Sequence, residues 1–306
     1  MQYRRLGKSN LQVSRLCLGT MMFGEQTPFE EAANIVASAR EHGINFIDTA
    51  DVYNGGRSEE AVGRLIGPNR DDWVLATKIG NRVDQGINHS HYSRKWLVQG
   101  VGQSLTRLGT DYIDILYLHR DFHEENLEEV ASALGDLMRA GKLRGFGVSN
   151  FRGWRIAQMA HACEKLGVPA PIVCQPYYNM LNRVPEVEIL PACGHFGLGV
   201  VPYSPIARGV LTGKYALGQA PDADTRAGRG DKRIMDTEFH PESLRIARDL
   251  VAYCEGRGIH SGHFATAWVL ANPLVTGVIA GPRTLPQMED YYAALDVAVS
   301  AQEEAM

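Results

Sequence analysis

Short apolar runs alternate along this chain with longer stretches in which apolar residues recur every three or four positions. The runs cover residues 15–20, 45–50, 73–79, 113–119, 143–150, 172–177, 199–204 and 275–281. They are apolar on both faces and often bounded by Gly or Pro, which suits strands buried in a parallel sheet. The intervening stretches predict helices over 29–42, 96–108, 127–140, 154–166, 187–195, 243–257, 262–271 and 284–295. In the first of these Ala33, Ile35, Val36 and Ala39 share a face, and Gly43 supplies a stop.

Eight strands with helices between them predict an α/β fold, a (β/α)8 TIM barrel, formed by a single domain over residues 1–306. Segments 3–6 and 11–13, on either side of residues 7–10, read as an N-terminal β-hairpin able to plug the bottom of the barrel. Residues 207–238 are poorly patterned and carry the run Arg226-Ala-Gly-Arg-Gly-Asp-Lys-Arg233. They read as a long, mobile loop after strand 7. The competing fold, an open doubly wound sheet, calls for G-x-G-x-x-G in its dinucleotide-binding form. Gly145-Phe-Gly147 and Gly197-Leu-Gly199 both lack the third glycine.

Composition narrows the classes further. With 44% hydrophobic residues the chain is too apolar for disorder, and a net charge of −4 gives no reason to expect nucleic acid or an anionic membrane as partner. Five cysteines without a C-x-x-C pair argue against a disulfide framework and a thiolate zinc site. No apolar stretch is long enough to cross a bilayer, and the N-terminus has no signal-like core. A reducing, cytoplasmic compartment is the expectation, and Asn88-His89-Ser90 is then a chance glycosylation match.

Barrel enzymes place their chemistry at the C-terminal ends of strands. Those ends carry Asp48, with Tyr53 just beyond, then Lys78, His119, Ser149-Asn150, Gln175, Tyr203-Ser204 and Gly281. Singly, each has a bland explanation: an Asp opening a turn, a Lys reaching solvent, a structural His. At corresponding positions on consecutive strands they read together as a site.

Asp48-Thr-Ala-Asp-Val-Tyr53 resembles the signature of the aldo-keto reductase family. So do Ala76-Thr-Lys78, the 111–119 and 141–151 segments, Tyr203-Ser-Pro-Ile-Ala-Arg-Gly-Val-Leu-Thr-Gly-Lys-Tyr215 and the segment 281–290. The resemblance implies a catalytic tetrad of Asp48, Tyr53, Lys78 and His119 for reduction of aldehydes or ketones. Tyr53 would be the proton donor, its pKa lowered from about 10 by the Lys78 ammonium, which Asp48 holds in place. His119 would hydrogen-bond the carbonyl oxygen. The implied cofactor is NADPH rather than NADH. Ser149, Asn150 and Gln175 would bind its carboxamide and Tyr203 would stack on its nicotinamide. Backbone and small residues at Ser204, Ile206, Gly209 and Leu211, with Lys214, would take the pyrophosphate. Gly281, Arg283 and Gln287 would form the adenosine side, Arg283 suiting a ribose phosphate. The family commonly has asparagine where this chain has Tyr291, which places the adenine contact in question.

Met22, Phe23 and Phe122 are expected to line a substrate pocket, and a small-molecule carbonyl compound is the expected partner. The short tail after the last helix implies no long C-terminal lid. Two alternatives share the resemblance or the fold: a cofactor-binding regulatory subunit like the potassium-channel β subunits, and a Schiff-base lyase using Lys78. His119-Arg-Asp121 with Asn126 matches the kinase H-R-D-x-x-x-x-N pattern, but no phosphate loop or D-F-G accompanies it. His89/His91 and His260/His263 lack a carboxylate or thiolate cluster and read as solvated pairs, so no metal is expected.

Overall fold

The computed structural model describes residues 1–304. Strands β1 (Tyr3–Arg5) and β2 (Gln12–Ser14) pair antiparallel, as the hairpin reading expects. Eight parallel strands follow: β3 (Leu16–Gly19), β4 (Phe46–Asp48), β5 (Val74–Ile79), β6 (Ile113–Leu118), β7 (Leu143–Ser149), β8 (Val173–Gln175), β9 (Gly199–Val200) and β10 (Val278–Ala280). Their order is β10-β3-β4-β5-β6-β7-β8-β9. A Val200–Val275 bridge, with the Thr276 N–H donating to Val200 O at 2.8 Å, joins the two ends. Sequential strands in a closed ring make a (β/α)8 barrel and exclude the doubly wound sheet.

The helices are α1 (Phe29–Glu41), α2 (Arg57–Ile66), α3 (Arg94–Leu108), α4 (Leu127–Arg139), α5 (Gly153–Leu166), α6 (Ile189–Phe196), α7 (Lys232–Thr237), α8 (Pro241–Glu255), α9 (Ser261–Ala271), α10 (Leu285–Ala293) and α11 (Ala301–Glu304). Local signals set their ends. Ser93 caps α3 by accepting from the Trp96 N–H, and Gly109 closes it in the left-handed region. Asn126 caps α4, which has acids in its first turn and Arg139 in its last. No helix among the described residues is long and apolar enough to cross a membrane.

Several elements differ from the pattern reading. Helix α2 lies between Asn54-Gly55-Gly56 and Gly67-Pro68, punctuation that reads as turns and hides a helix with a small apolar face of Ala61, Val62 and Ile66. In α1 it is Ala32, not Ala33, that completes the buried face with Ile35, Val36 and Ala39. Strand β9 stops at Val200 because Pro202 has no N–H for the ladder, and contact with its neighbour resumes only at a Tyr177–Tyr203 bridge. The 207–238 segment holds a turn at Ala207–Thr212 and helix α7. Wholly buried Glu238 ties its two ends together, accepting from the Arg208 guanidinium and from Tyr177 Oη at 2.5 Å.

Two apolar layers share the strands. Leu6, Val13, Cys17, Phe46, Val74, Ala76, Ile115, Tyr117, Val173, Val201 and Ile279 fill the barrel, with Leu6 and Val13 supplying the hairpin's share of the floor. Alternate residues such as Ile47, Leu75, Leu116 and Leu118 face the helices. The Lys8 N–H donates to Gly197 O at 2.8 Å, fixing the hairpin under the sheet. Inside the barrel Gly147 leaves room for its neighbours: a Cβ there would lie 2.8 Å from the Tyr117 ring and 2.7 Å from Val173 O. Gly147→Ala is therefore expected to lower stability by about 1–3 kcal/mol, the usual penalty of overpacking. Urea unfolding of the two proteins reads this directly, and equal midpoints would mean that the interior has slack at this level.

Candidate active site

The period of a strand decides which side chains enter the barrel. Phe46, Ala76, Tyr117 and Val173 point inward, so Asp48, Lys78, His119 and Gln175, each two residues further on, face the same axis at the C-terminal mouth. There the Lys78 ammonium, only 1% exposed, donates to Asp48 Oδ1, to Thr49 O at 2.8 Å and to Tyr53 Oη at 3.1 Å. Asp48 Oδ2 accepts from Gln175 Nε2 at 2.9 Å. The His119 ring meets the Tyr53 ring edge-on, with centroids 5.9 Å apart.

Tyr53 comes from a loop and is placed by its neighbour. Asn54 adopts the left-handed region, at φ 52°, and its Nδ2 donates to Met21 O at 2.9 Å and Phe23 O at 2.7 Å. The turn that carries the phenol is thus pinned to the loop after β3. Pattern reading passed over Asn54; an Asn before Gly-Gly, directly after the tyrosine, was the available signal.

Burial and charge compete at each of these groups. Burial pushes the Asp48 carboxyl up, against the pull of Lys78 and Gln175. Burial alone would lower Lys78, yet Asp48 and Tyr53 hold its pKa above the usual value, so the ammonium stays charged. The Tyr53 phenol is raised: burial exceeds the downward pull of Lys78, and the Asp48 charge adds to burial. This differs from the expectation of a phenol made acidic at rest, because burial outweighs the pull of the ammonium. His119 is lowered well below its ordinary value by burial, then by Lys78, Arg233 and Arg120. Its imidazole is neutral near pH 7 and can donate from one nitrogen only.

The cleft above encloses about 480 Å³, within the range of small-ligand sites. Ser149, Asn150, Gln175 and Tyr203 lie together on its wall. Asn150 Nδ2 donates to His119 O at 3.0 Å, while its Oδ1 accepts from Tyr203 Oη at 2.8 Å. Gln175 is shared with Asp48, which leaves its carbonyl oxygen for a ligand. Ser204, Ile206, Gly209, Lys214, Gly281, Arg283 and Gln287 also line the cleft. Ser204, Ala207 and Arg208 all have positive φ, a clustered strain of the kind found at ligand-binding loops. Gly209, at φ 93°, leaves the space that Lys214 Nζ occupies, 2.5 Å from where a Cβ would sit.

Other expected residues fall elsewhere. Leu211 is wholly buried in the outer core, and its N–H is taken by Ile206 O at 3.3 Å, so it offers no donor to a phosphate. The Gly209 N–H also bonds Ile206 O, at 2.9 Å. Met22 lines the cleft, but Phe23 is wholly buried beneath it, because the turn after β3 folds that ring inward. Phe122 packs against Tyr92 and His91 and is not a lining residue. Tyr291 does line the cleft, its phenol pushed up to about 12 by burial.

Three residues of the basic run in the long loop, Arg226, Arg229 and Arg233, line the cleft, as does Arg208. Arg208 is paired with Glu238. Lys214 is lowered by burial and then by Arg226, Arg283 and Arg229, so these cations stand close together; Asp231 partly offsets Arg226. His260 and His263, read as solvated, line the cleft too: His260 caps α9, and His263 Nε2 is 3.1 Å from Asp290 Oδ1. No group of three potential metal ligands occurs among the described residues. The kinase-like match is accidental: Asp121 is held by Arg155 at 3.0 Å and Asn126 is a helix cap.

A sequence profile of the Aldo/keto reductase family matches residues 15–306. A probable voltage-gated potassium channel subunit beta of Arabidopsis thaliana is 38% identical over 97% of this chain and 92% of its own. An uncharacterized oxidoreductase of Bacillus subtilis, YrpG, is 37% identical, covering 99% and 93%. The L-glyceraldehyde 3-phosphate reductase of Escherichia coli K12 is 34% identical, covering 97% and 88%.

Between the tetrad residues, Asp51 is buried with both carboxylate oxygens unpartnered. Burial and then Glu59 drive its carboxyl well above the ordinary value. An unfolded aspartate ionises near about 3.9, so the folded chain holds a proton that the unfolded chain releases. Stability from this group is full below that pH and declines by about 1.4 kcal/mol per pH unit as pH climbs toward the folded value. Asp51→Asn, which cannot ionise, should gain on the wild type as pH rises above about 4 in urea unfolding. A pH-independent difference would show that Asp51 titrates normally.

Proposed function

The chain belongs to the aldo/keto reductase family, and from that premise we propose that it reduces aldehydes or ketones to alcohols, reversibly, with NADPH. The observation that carries this reading is the Tyr53 phenol 3.1 Å from a buried ammonium, at the floor of a cleft it shares with a neutral imidazole. The cleft also fits the cofactor: Lys214, Arg226, Arg229 and Arg283 form no ion pair among the described residues and would meet its phosphates, while Ser149, Asn150, Gln175 and Tyr203 would hold the nicotinamide end. When bound, the reduced dinucleotide supplies the hydride.

The protein's residues manage the proton. Tyr53 is protonated at rest, the state required of an acid, and gives its proton to the carbonyl oxygen as negative charge develops there. The phenolate left behind sits beside Lys78, so the ammonium acts mainly after transfer, stabilising the product state of the acid. Asp48 and Gln175 keep that ammonium in place. His119 donates one hydrogen bond to the same oxygen, orienting and polarising the substrate. In the alcohol-oxidising direction the phenolate takes the proton back.

A Schiff-base role for Lys78 fits poorly. Its three protons are already directed at Asp48, Thr49 and Tyr53, and it is held charged rather than nucleophilic. A cofactor-binding regulatory subunit remains the second reading, favoured by the channel-subunit relative. Co-purification with a membrane complex, together with negligible turnover of every carbonyl tried, would select it.

Tyr53→Phe removes only the proton source, so turnover should fall by about 100-fold or more, while NADPH titration by fluorescence still shows binding. Retention of full kcat would assign the acid elsewhere. Arg283→Ala should weaken NADPH by about tenfold or more beyond its effect on NADH, since only the former carries the ribose phosphate. Equal losses for the two cofactors would remove that role from Arg283.

A further inference from the structure

One cation of the cleft has no task in the reduction just described. Arg233 sits on α7, exposed, and lines the cleft together with Tyr53, His119, Met21 and Met22. Its side chain makes a single long contact, Nη1 to Met21 Sδ at 3.9 Å, and no ion pair among the described residues. The nearest acid in sequence is engaged: Asp231 Oδ1 caps α7, accepting from the Arg233 N–H at 3.0 Å and the Ile234 N–H at 3.2 Å. Wholly buried Ile234 anchors the same helix to the core, so the backbone that carries Arg233 is held by packing.

The other cleft cations are placed differently. Arg208 is neutralised by Glu238, and Lys214, Arg226, Arg229 and Arg283 stand near one another. The charge of Arg233 pulls downward on the phenol of Tyr53, though burial keeps that group raised, and on the imidazole of His119, and it also reaches Arg226. Arg233 is therefore the loop cation at the reacting end. A guanidinium there, in contact with Met21, presents a planar fork suited to a carboxylate or phosphate.

We propose that Arg233 binds an anionic group of the substrate, so that the favoured carbonyl compounds are small aldehydes or ketones bearing a phosphate or carboxylate a few bonds from the carbonyl. The proposal rests on the reductase reading and specifies its substrate class. The chemistry at the carbonyl is unaltered: R–CHO, NADPH and H⁺ give R–CH2OH and NADP⁺, and the anionic substituent passes through unchanged.

The test pairs each anionic substrate with a neutral parent: succinate semialdehyde with butanal, and glycolaldehyde phosphate with glycolaldehyde. The wild type should prefer the anionic member of each pair, and the preference should shrink as salt is raised. Arg233→Met should lower kcat/KM for the anionic member about tenfold or more beyond its effect on the neutral one, chiefly through KM. Arg233→Lys should restore part of the difference. An equal fall for both members overturns the proposal, as does a parallel fall in NADPH affinity, which would assign Arg233 to the cofactor. If no aldehyde is turned over at all, the reductase reading fails separately. Calorimetric binding of glycolaldehyde phosphate to wild type and R233M then decides whether the anion site exists.

Discussion

The buried ammonium of Lys78 is the constraint around which the barrel mouth is built. A charge that is 1% exposed is tolerable only if every proton finds an acceptor, and Asp48, the Thr49 carbonyl and Tyr53 supply the three. Asp48 in turn needs its second oxygen satisfied, and Gln175 donates to it from across the barrel. Four side chains from β4, β5, β8 and the loop after β4 are thereby locked to one point. Removing any one would leave a buried charge or dipole without compensation, which is costlier than never having buried it.

That locking has an electrostatic consequence. Because Asp48 already balances Lys78, the phenol beside them is not acidified in the resting protein; burial wins, and the proton stays on Tyr53. In the proposed reduction Lys78 matters most when the proton has left. The same surroundings keep His119 neutral, so it serves as a donor without carrying charge. In the proposed reduction a carbonyl oxygen entering this corner would meet a neutral acid and a neutral donor, with the positive charge held one layer behind them.

Charge is distributed unequally along the cleft. At the floor, cation and anion are paired and buried; along the wall formed by the 207–238 segment and the turn after β10, Arg208 is paired with Glu238, while Lys214, Arg226, Arg229, Arg233 and Arg283 form no ion pair among the described residues. Burial and then Arg226, Arg283 and Arg229 lower Lys214, and the polyanionic cofactor proposed above would relieve that repulsion. The segment keeps its course because Glu238 is buried against Arg208 and Tyr177, a clasp made of groups far apart in sequence.

The alternation of strand-like and helix-like stretches, the hairpin before them and the row of polar residues at strand ends were legible in the chain itself, because burial on both faces and a period of two leave a local imprint. Asp48, Lys78, His119 and Gln175 could be picked out for the same reason: each ends an apolar run. Helix α2 was obscured by glycines at both ends, and Phe23 and Leu211 were misplaced because inward or outward orientation in a turn depends on what packs over it. The contacts of Asn54 and Glu238 and the place of Arg233 in the cleft were invisible along the sequence, since each meets residues brought near only by the closed ring. Sequence determined the periodicity and hence the barrel. Which charges meet, which remain unpaired and which way a phenol's proton equilibrium leans were decided by tertiary structure, because electrostatic energy depends on distance and burial, and neither is written in the order of residues.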